Sequence, residues 1–377
     1  MSVENVILLT RKLIAFDTVN PPGNENEIAR YVGNLLAENG FEVEYIPYEI
    51  KRTHIVAEKG CSGEIPAIVF TGHFDTVPLG AKDWSVDPFG GEIKGDKLYG
   101  RGSSDMKGGL AAMIIAAIQT CKDTPPKGGV RLILTSGEEL GCQGAKDLVK
   151  IHENLGRARG IIVGEPTANI PSIGHKGGLY LNLETSGVTA HSSMPHLGDN
   201  AIYKIARAIS KIEKFDFKVE EDSLLGFPTI NVGKVNGGMN INSVPDHASF
   251  TIDARTTTKV NHQKLLNQLE EVLGEEVSIE TLVDLSAVSS YENDPFVQLV
   301  YAACNIQEGT DGFPRSMPYL TDGSVLQTAY GGVPTIILGP GQPEMAHQTD
   351  EFCYTLNLIQ AVEIYKKIIL MGGNING

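Results

Sequence analysis

Apolar side chains recur at helical spacing over residues 3–16, where Val3, Val6, Ile7, Leu9, Leu13 and Ile14 share one face. The stretch TVNPPGN interrupts that period, because Pro-Pro-Gly cannot continue a helix. ENEIARYVGNLLAENG resumes it as a second amphipathic helix, closed by Gly40 at a C-terminal cap. FEVEYIPYE then alternates apolar and polar positions, the period of a strand.

From there the pattern is a buried strand followed by a helix, repeated. AIVFTG at 67–72 and GVRLILTSG at 129–137 are apolar, β-branched runs, and RGIIVGE at 159–165 is a third. DMKGGLAAMIIAAIQT and GCQGAKDLVKI are the helices between them. Strands that are apolar on both faces, alternating with helices, imply an α/β domain built on a mostly parallel sheet with helices on both faces.

Near residue 176 the pattern changes. GLYLNLETSG, FPTINVGKVNGG, DHASFTIDAR and VSIETLVD read as strands, with helices DNAIYKIARAISKIEKF and NHQKLLNQLEEVLG between them. The order β-α-β-β-α-β is the split-βαβ, ferredoxin-like arrangement of an α+β unit. The α/β pattern resumes at about residue 289 with a helix in DPFVQLVYAACNI and a strand in VPTIILGPG, and it closes with the helix TLNLIQAVEIYKKIILMG. The expected organisation is a discontinuous domain of residues 1–176 and 289–377, with a smaller domain of residues 177–288 inserted into it.

Composition narrows the class. The 377 residues carry a formal net charge of −15, which disfavours nucleic acid or an anionic membrane surface as a partner. The longest apolar stretch, LAAMIIAAI, is far short of the roughly 20 residues that span a bilayer. No signal peptide is visible at the N-terminus, and the five scattered cysteines form no CxxC pair. A cytoplasmic protein without a disulfide framework is expected.

The ionisable residues just past each apolar run carry the candidate chemistry. AIVFTGHFD ends in His73 and Asp75, LILTSGEE in Glu138 and Glu139, and GIIVGE in Glu165. Asp105 opens the helix after GRGSS, and His347 follows TIILGPGQPEMA. Ligands of parallel α/β sheets bind at the carboxyl ends of the strands, so these groups are expected to converge on one sheet edge. Two histidines with several carboxylates form an N/O donor set suited to zinc, manganese or cobalt. Crowded carboxylates repel one another, and divalent cations remove that cost. A bridging carboxylate between two ions about 3.5 Å apart is one solution. In the H-x-D pair, the Asp75 carboxylate is placed to hold the second nitrogen of His73. Taken singly, each residue has a plainer reading: Asp105 as a helix cap, the Glu138–Glu139 pair as solvated loop acids, Glu165 as a turn acid.

The segments TGHFDTVP, GRGSSDMKGGLAA, SGEELGCQGA, GEPT, AHSSMPHLGDNAI and AHQTDE occur in an order that resembles the acetylornithine deacetylase and succinyl-diaminopimelate desuccinylase family of two-metal amidohydrolases and peptidases. The resemblance covers nearly the whole chain. It implies two divalent ions, zinc first and cobalt or manganese as alternatives. His73 and Glu165 would bind one ion, Glu139 and His347 the other, and Asp105 would bridge them. Asp75 would orient His73, and Glu138 would be the general base. The inserted domain would serve as lid and homodimer contact, and its His191 would stabilise the oxyanion. Asn242 and Arg255, in NSVP and DAR, would hold a substrate carboxylate. His54, His152, His175, His196, His247 and His262 receive no metal role.

For substrate, the resemblance points to a small N-acyl amino acid. Desuccinylases of the family usually carry paired arginines before the inserted domain and a GTSDGR stretch. Here GHKGGLY and YLTDGSV stand instead. Lys176 offers a point charge in place of a planar fork, and Leu320 replaces a hydroxyl. These changes favour a neutral acyl group, and N2-acetylornithine is the first expectation. Succinyl-diaminopimelate desuccinylase is the alternative, and a dipeptidase or carboxypeptidase is the third. A co-catalytic aminopeptidase fits less well, since D-x-R points to a substrate carboxylate. A catalytically dead binding relative is disfavoured because Glu138 and every ligand are present.

Overall fold

The structure, a computed structural model, describes residues 4–152, 155–306 and 315–373; Val3 of the first amphipathic pattern lies outside them. The chain divides into two compact units. The first comprises Met1–Gly174, Ser289–Met317 and Thr321–Gly377, and the second His175–Val288 and Pro318–Leu320.

The first unit opens with helices α1 (Glu4–Ile14) and α2 (Asn26–Glu38). Helix α2 ends as the pattern implied. Gly40, at φ +78°, donates its N–H to Ala37, and Phe41 donates to Leu36, so the last carbonyls of the helix are satisfied. Strands β1 (Glu42–Glu49) and β2 (Arg52–Lys59) follow, then β3 (Ala67–His73), the short β4 (Ile93–Lys94) and β5 (Lys97–Tyr99), helix α3 (Lys107–Thr120), β6 (Val130–Thr135), α4 (Gln143–Ile151), β7 (Ala158–Val163) and Gly174 of the short β8 (Gly174–His175).

The six-stranded sheet runs β1-β2-β6-β3-β7-β14, where β14 is Thr335–Ile337. Strand β3 pairs in parallel with β6 and β7, and β14 pairs in parallel with β7. Strands β1 and β2 form an antiparallel hairpin on one edge, with β2 antiparallel to β6. Strands β3 and β6 are buried along their whole length, which requires cover on both faces of the sheet. Helix α3 is apolar on all sides from Leu110 to Ile118 and correspondingly buried, packed against α1 and against α9 (Thr355–Gly372).

Strand β2 is an element the periodicity did not reveal. Its charged or polar residues Arg52, His54, Glu58 and Lys59 break the apolar run, yet residues 54–57 are buried.

The second unit holds β9 (Gly177–Ser186), α5 (Ala201–Ile212), β10 (Thr229–Gly237), β11 (His247–Thr256), α6 (His262–Leu273), β12 (Ser278–Leu285) and Val288 of the short β13 (Val288–Ser289). Its sheet order β10-β11-β9-β12, antiparallel throughout, is the split-βαβ topology. Alternation along β9 turns Leu179, Leu181 and Leu183 into a core with Phe250, Ile205 and Leu269. Asn200 and Asn261 cap the two helices through their side-chain oxygens.

The remaining first-unit elements are α7 (Pro295–Ala303), α8 (Gly323–Ala329) and β15 (Phe352–Tyr354). Strand β15 pairs antiparallel with β5. That pairing sets the segment after His347 beside the one that leads to Asp105.

Candidate metal centre

Three neighbouring parallel strands deliver the site. His73 is the last residue of β3, Glu138 and Glu139 follow β6, and Glu165 follows β7. All four therefore stand at the carboxyl edge of one sheet, as the sequence order implied. Asp105 reaches the same place from the turn before α3, and His347 from the loop after β14.

The geometry is centred on Asp105. Its Oδ1 lies 3.2 Å from His73 Nε2, and its Oδ2 lies 3.4 Å from His347 Nε2. Glu165 Oε1 lies 3.4 Å from His73 Nε2, and Glu139 Oε2 lies 3.2 Å from His347 Nε2. Donor atoms of His73, Asp105 and Glu139 all fall within 4.8 Å of one another. The five residues named from the sequence are thus brought together, with Asp105 presenting one oxygen to each histidine.

Asp75 acts differently from the expected contact. The Nδ1 of His73 meets the main-chain carbonyl of Asp75 at 2.8 Å, while the carboxylate stands off at 3.7 Å. The carboxylate instead receives the N–H groups of Gly137 at 2.8 Å, Glu138 at 3.1 Å and Glu139 at 3.2 Å, together with the Asn20 amide at 2.9 Å. One residue therefore orients His73 through its carbonyl and the acid-bearing turn through its side chain. The physical reason is supply: a turn that exposes successive N–H groups is an anion cradle, and a buried carboxylate fills it.

Glu351 is a buried residue that the sequence reading passed over. It accepts the N–H groups of Gly102, Ser104 and Asp105 and pairs with the buried Arg101 at 2.7 Å. The residue stands at the end of AHQTDE, but its partners lie about 250 positions earlier, so no local signal marks it.

The charges are out of balance as they stand. Burial, with the charge of Asp105 added, raises the carboxyl of Glu139 to about 7. Burial, net of the opposing charge of His73, raises Glu165 to about 8. Burial works against the Asp105 carboxylate, but hydrogen bonds from His347 and His73 hold it well below the usual range. Hydrogen bonds to Asp105 and Glu139 raise His347 to about 10. Burial opposes a charged His73, yet Glu165 and Asp105 override it and raise its proton affinity. Glu139 Oε1 is buried with no hydrogen-bond partner. A donor set that must hold extra protons, with an orphaned carboxylate oxygen, fits divalent cations: they would replace the protons and satisfy that oxygen.

Glu138 stands close enough to His73, Glu165 and Glu139 to feel their charges, but its hydrogen bond goes elsewhere. Cys142 Sγ donates to its Oε1 at 3.4 Å, and Asp322 shares the same small cluster. Burial, despite the charge of His73, raises the Glu138 carboxyl well above the usual range.

The other residues named from the sequence belong to the second unit. His191 is exposed, with Nδ1 2.8 Å from Ser193 Oγ, and Asn242 is exposed. Arg255 commits Nε and Nη2 to the carboxylate of Asp253 at 2.8 and 3.1 Å. Lys176 donates to the carbonyl of Phe227 at 2.5 Å.

The chain is 31% identical to a probable succinyl-diaminopimelate desuccinylase of Staphylococcus epidermidis, with 98% of each chain covered. It is 28% identical to an acetylornithine deacetylase of Myxococcus xanthus, with 95% of each covered. Its fold superimposes on a metallo-carboxypeptidase of Sulfolobus solfataricus with a TM-score of 0.82 at 19% identity, over 100% of both chains. The sequence profile of peptidase family M20/M25/M40 matches residues 69–371. With that match across most of its length, the chain belongs to this family of metal-dependent hydrolases.

Proposed function

We propose that the chain hydrolyses the amide bond of an N-acyl amino acid at a pair of divalent cations. The observation that carries this reading is Asp105, whose two oxygens face the ring nitrogens of His73 and His347 separately. His73 and Glu165 would hold one ion, His347 and Glu139 the other, with Asp105 shared. Zinc suits the donor set first, then cobalt or manganese. Such cations supply an acidified water and a counter-charge for the oxyanion of amide attack.

Glu138 is the group in reach that is not spent on a ligand. It takes the proton of the attacking water and returns it to the departing amine. Burial gives it more proton affinity than an ordinary carboxylate, which suits a group that must do both. The turn that bears it is held by Asp75. His191 is the proposed second oxyanion partner, and Asn242 and Arg255 the proposed hold on the substrate carboxylate, with Lys176 just ahead of Gly178, the residue paired with Arg255 across β9 and β11. Arg255 keeps its planar fork oriented by Asp253.

The inserted unit is also the proposed lid and homodimer contact. Supporting this, β10 is an edge strand of its sheet, and Val235, Met239, Ile241 and Tyr203 are exposed apolar groups on that unit. An apolar sheet edge is a template for a second chain. The five free cysteines suit a reducing cytoplasm.

N2-acetylornithine is the substrate proposed first, because Lys176 and Leu320 stand where a succinyl carboxylate would want a planar cation and a hydroxyl. N-succinyl-diaminopimelate stands level with it, since relatives of both names cover nearly the whole chain. A dipeptide is third. An amine-release assay of the zinc-loaded protein decides by relative kcat/KM across the three, and no turnover of any of them refutes the proposal.

A further inference from the structure

We propose that His54 is a positioning residue for the turn that carries Glu138 and Glu139. The inference rests on the roles proposed for those two residues and adds a contact from another strand.

Strand β2 runs against the direction of its neighbour β6, with Ile55 opposite Leu134. Because it is antiparallel, β2 brings its first residues, not its last, to the edge where the parallel strands end. Arg52, Thr53 and His54 therefore enter the functional edge from the opposite direction. Ser136 N–H donates to His54 Nδ1 at 3.0 Å, and Ser136 Oγ donates to the carbonyl of Thr53 at 3.0 Å. The next three N–H groups, of Gly137, Glu138 and Glu139, go to Asp75. Four successive amides are thus held by two side chains, His54 and then Asp75.

The packing leaves the turn little alternative. His54 is fully buried. A Cβ on Gly144 would lie 1.5 Å from the carbonyl oxygen of Ser136 and 2.9 Å from His54 Cε1. A Cβ on Gly137, itself at φ +84°, would meet Arg52 Nη2 at 2.9 Å. Accepting the Ser136 N–H requires the neutral ring with Nδ1 bare, so the proton sits on Nε2. Burial, with the charge of Arg52 beside it, lowers the ring's proton affinity to about 4, and the acceptor form is therefore the stable one.

The test separates the acceptor from the volume of the ring. His54→Leu fills the space and offers no acceptor. His54→Asn is smaller but sets Oδ1 where Nδ1 stood. Three quantities are read on the full chain: hydrogen exchange of the peptide 134–141 in metal-free protein, zinc affinity by competition with a chromophoric chelator, and kcat and KM of the zinc-loaded protein. In His54→Leu, exchange of that peptide quickens, zinc binds about 10- to 100-fold more weakly, and kcat falls by roughly 10²-fold with KM little changed. In His54→Asn, all three return toward wild type. If His54→Leu does not fold, His54→Ala serves as the acceptor-free variant.

Unchanged exchange in the acceptor-free variant overturns the proposal. So does faster exchange with wild-type zinc affinity and kcat, or an Asn variant no better than Leu or Ala. A wild-type chain that binds no zinc refutes the proposed function instead, and this is distinguishable because the exchange is measured without metal.

Discussion

Glu351 accepts the main-chain N–H of Asp105 at 3.0 Å, so the residue at the centre of the candidate metal site is held by an acid 246 positions later in the chain. The same carboxylate neutralises Arg101, and both side chains are buried. Replacing Glu351 with Gln keeps the shape but strands a buried guanidinium. Loss of about 3 kcal/mol of stability is expected in denaturant unfolding, with metal content reduced because the loop 101–105 loses its anchor. Wild-type stability and metal content together would contradict this.

Glu138 and Glu139 are adjacent but face different neighbours, Cys142 and His347 respectively. Glu138→Ala is expected to keep its full metal content and lose roughly 10²–10⁴-fold in turnover, the range for a missing general base. Glu139→Ala is expected to lower metal content first. Elemental analysis beside steady-state kinetics checks both, and equal metal loss in the two variants would undo the division of roles.

Chelation is expected to abolish hydrolysis, with zinc or cobalt restoring it. It should also lower the melting temperature, because Glu139 and Glu165 are then crowded with Asp105 and no cation between them. Full activity after verified metal removal would refute the metal-dependent reading.

Acid should destabilise the protein in a defined window. Burial lowers His54 and His175 from 6.5 to about 4. Their folded-state values lie below the unfolded one, so the unfolded chain binds more protons as pH falls. Stability is whole above about 6.5, declines between about 6.5 and about 4, and then levels off for these groups. Each contributes up to a few kcal/mol. The difference in urea midpoint between wild type and His54→Asn, followed from pH 7.5 to 4, checks the direction, since the raised carboxyls of Glu139 and Glu165 act with the opposite sign in the same window and cancel in that difference.

Val235 lies on the edge strand β10 of the second unit and is exposed. Val235→Lys is expected to convert the proposed dimer to monomer without unfolding it, since charge blunts an open sheet edge. Sedimentation velocity with circular dichroism reads the outcome. A wild-type chain that sediments as a monomer would remove the proposed dimer.

Much of the fold was legible because its signal is local. The largely apolar runs 67–72 and 129–135, the second interrupted by Arg131, read as strands covered on both faces, and the alternation through 177–186 as a strand covered on one. Three candidate ligands were legible for a related reason: His73, Glu139 and Glu165 stand at or shortly after the carboxyl end of an apolar run, and a parallel sheet gathers those ends on one edge, whereas Asp105 and His347 come from loops. Strand β2 was not legible, because its polar residues are buried by partners distant in sequence.

What the sequence by itself determined, then, was the list of elements, their order and the acids and histidines at their ends, since periodicity and strand direction act within a few residues. Tertiary structure decided which groups hold those residues still. Asp75 turned out to spend its carboxylate on three amides of another loop, Glu351 to anchor the turn before α3, and His54 to enter the site from an antiparallel strand. The partners of these side chains lie between 55 and 250 positions away. A buried amide takes the acceptor that packing brings to it, and no pattern along the chain records which one that will be.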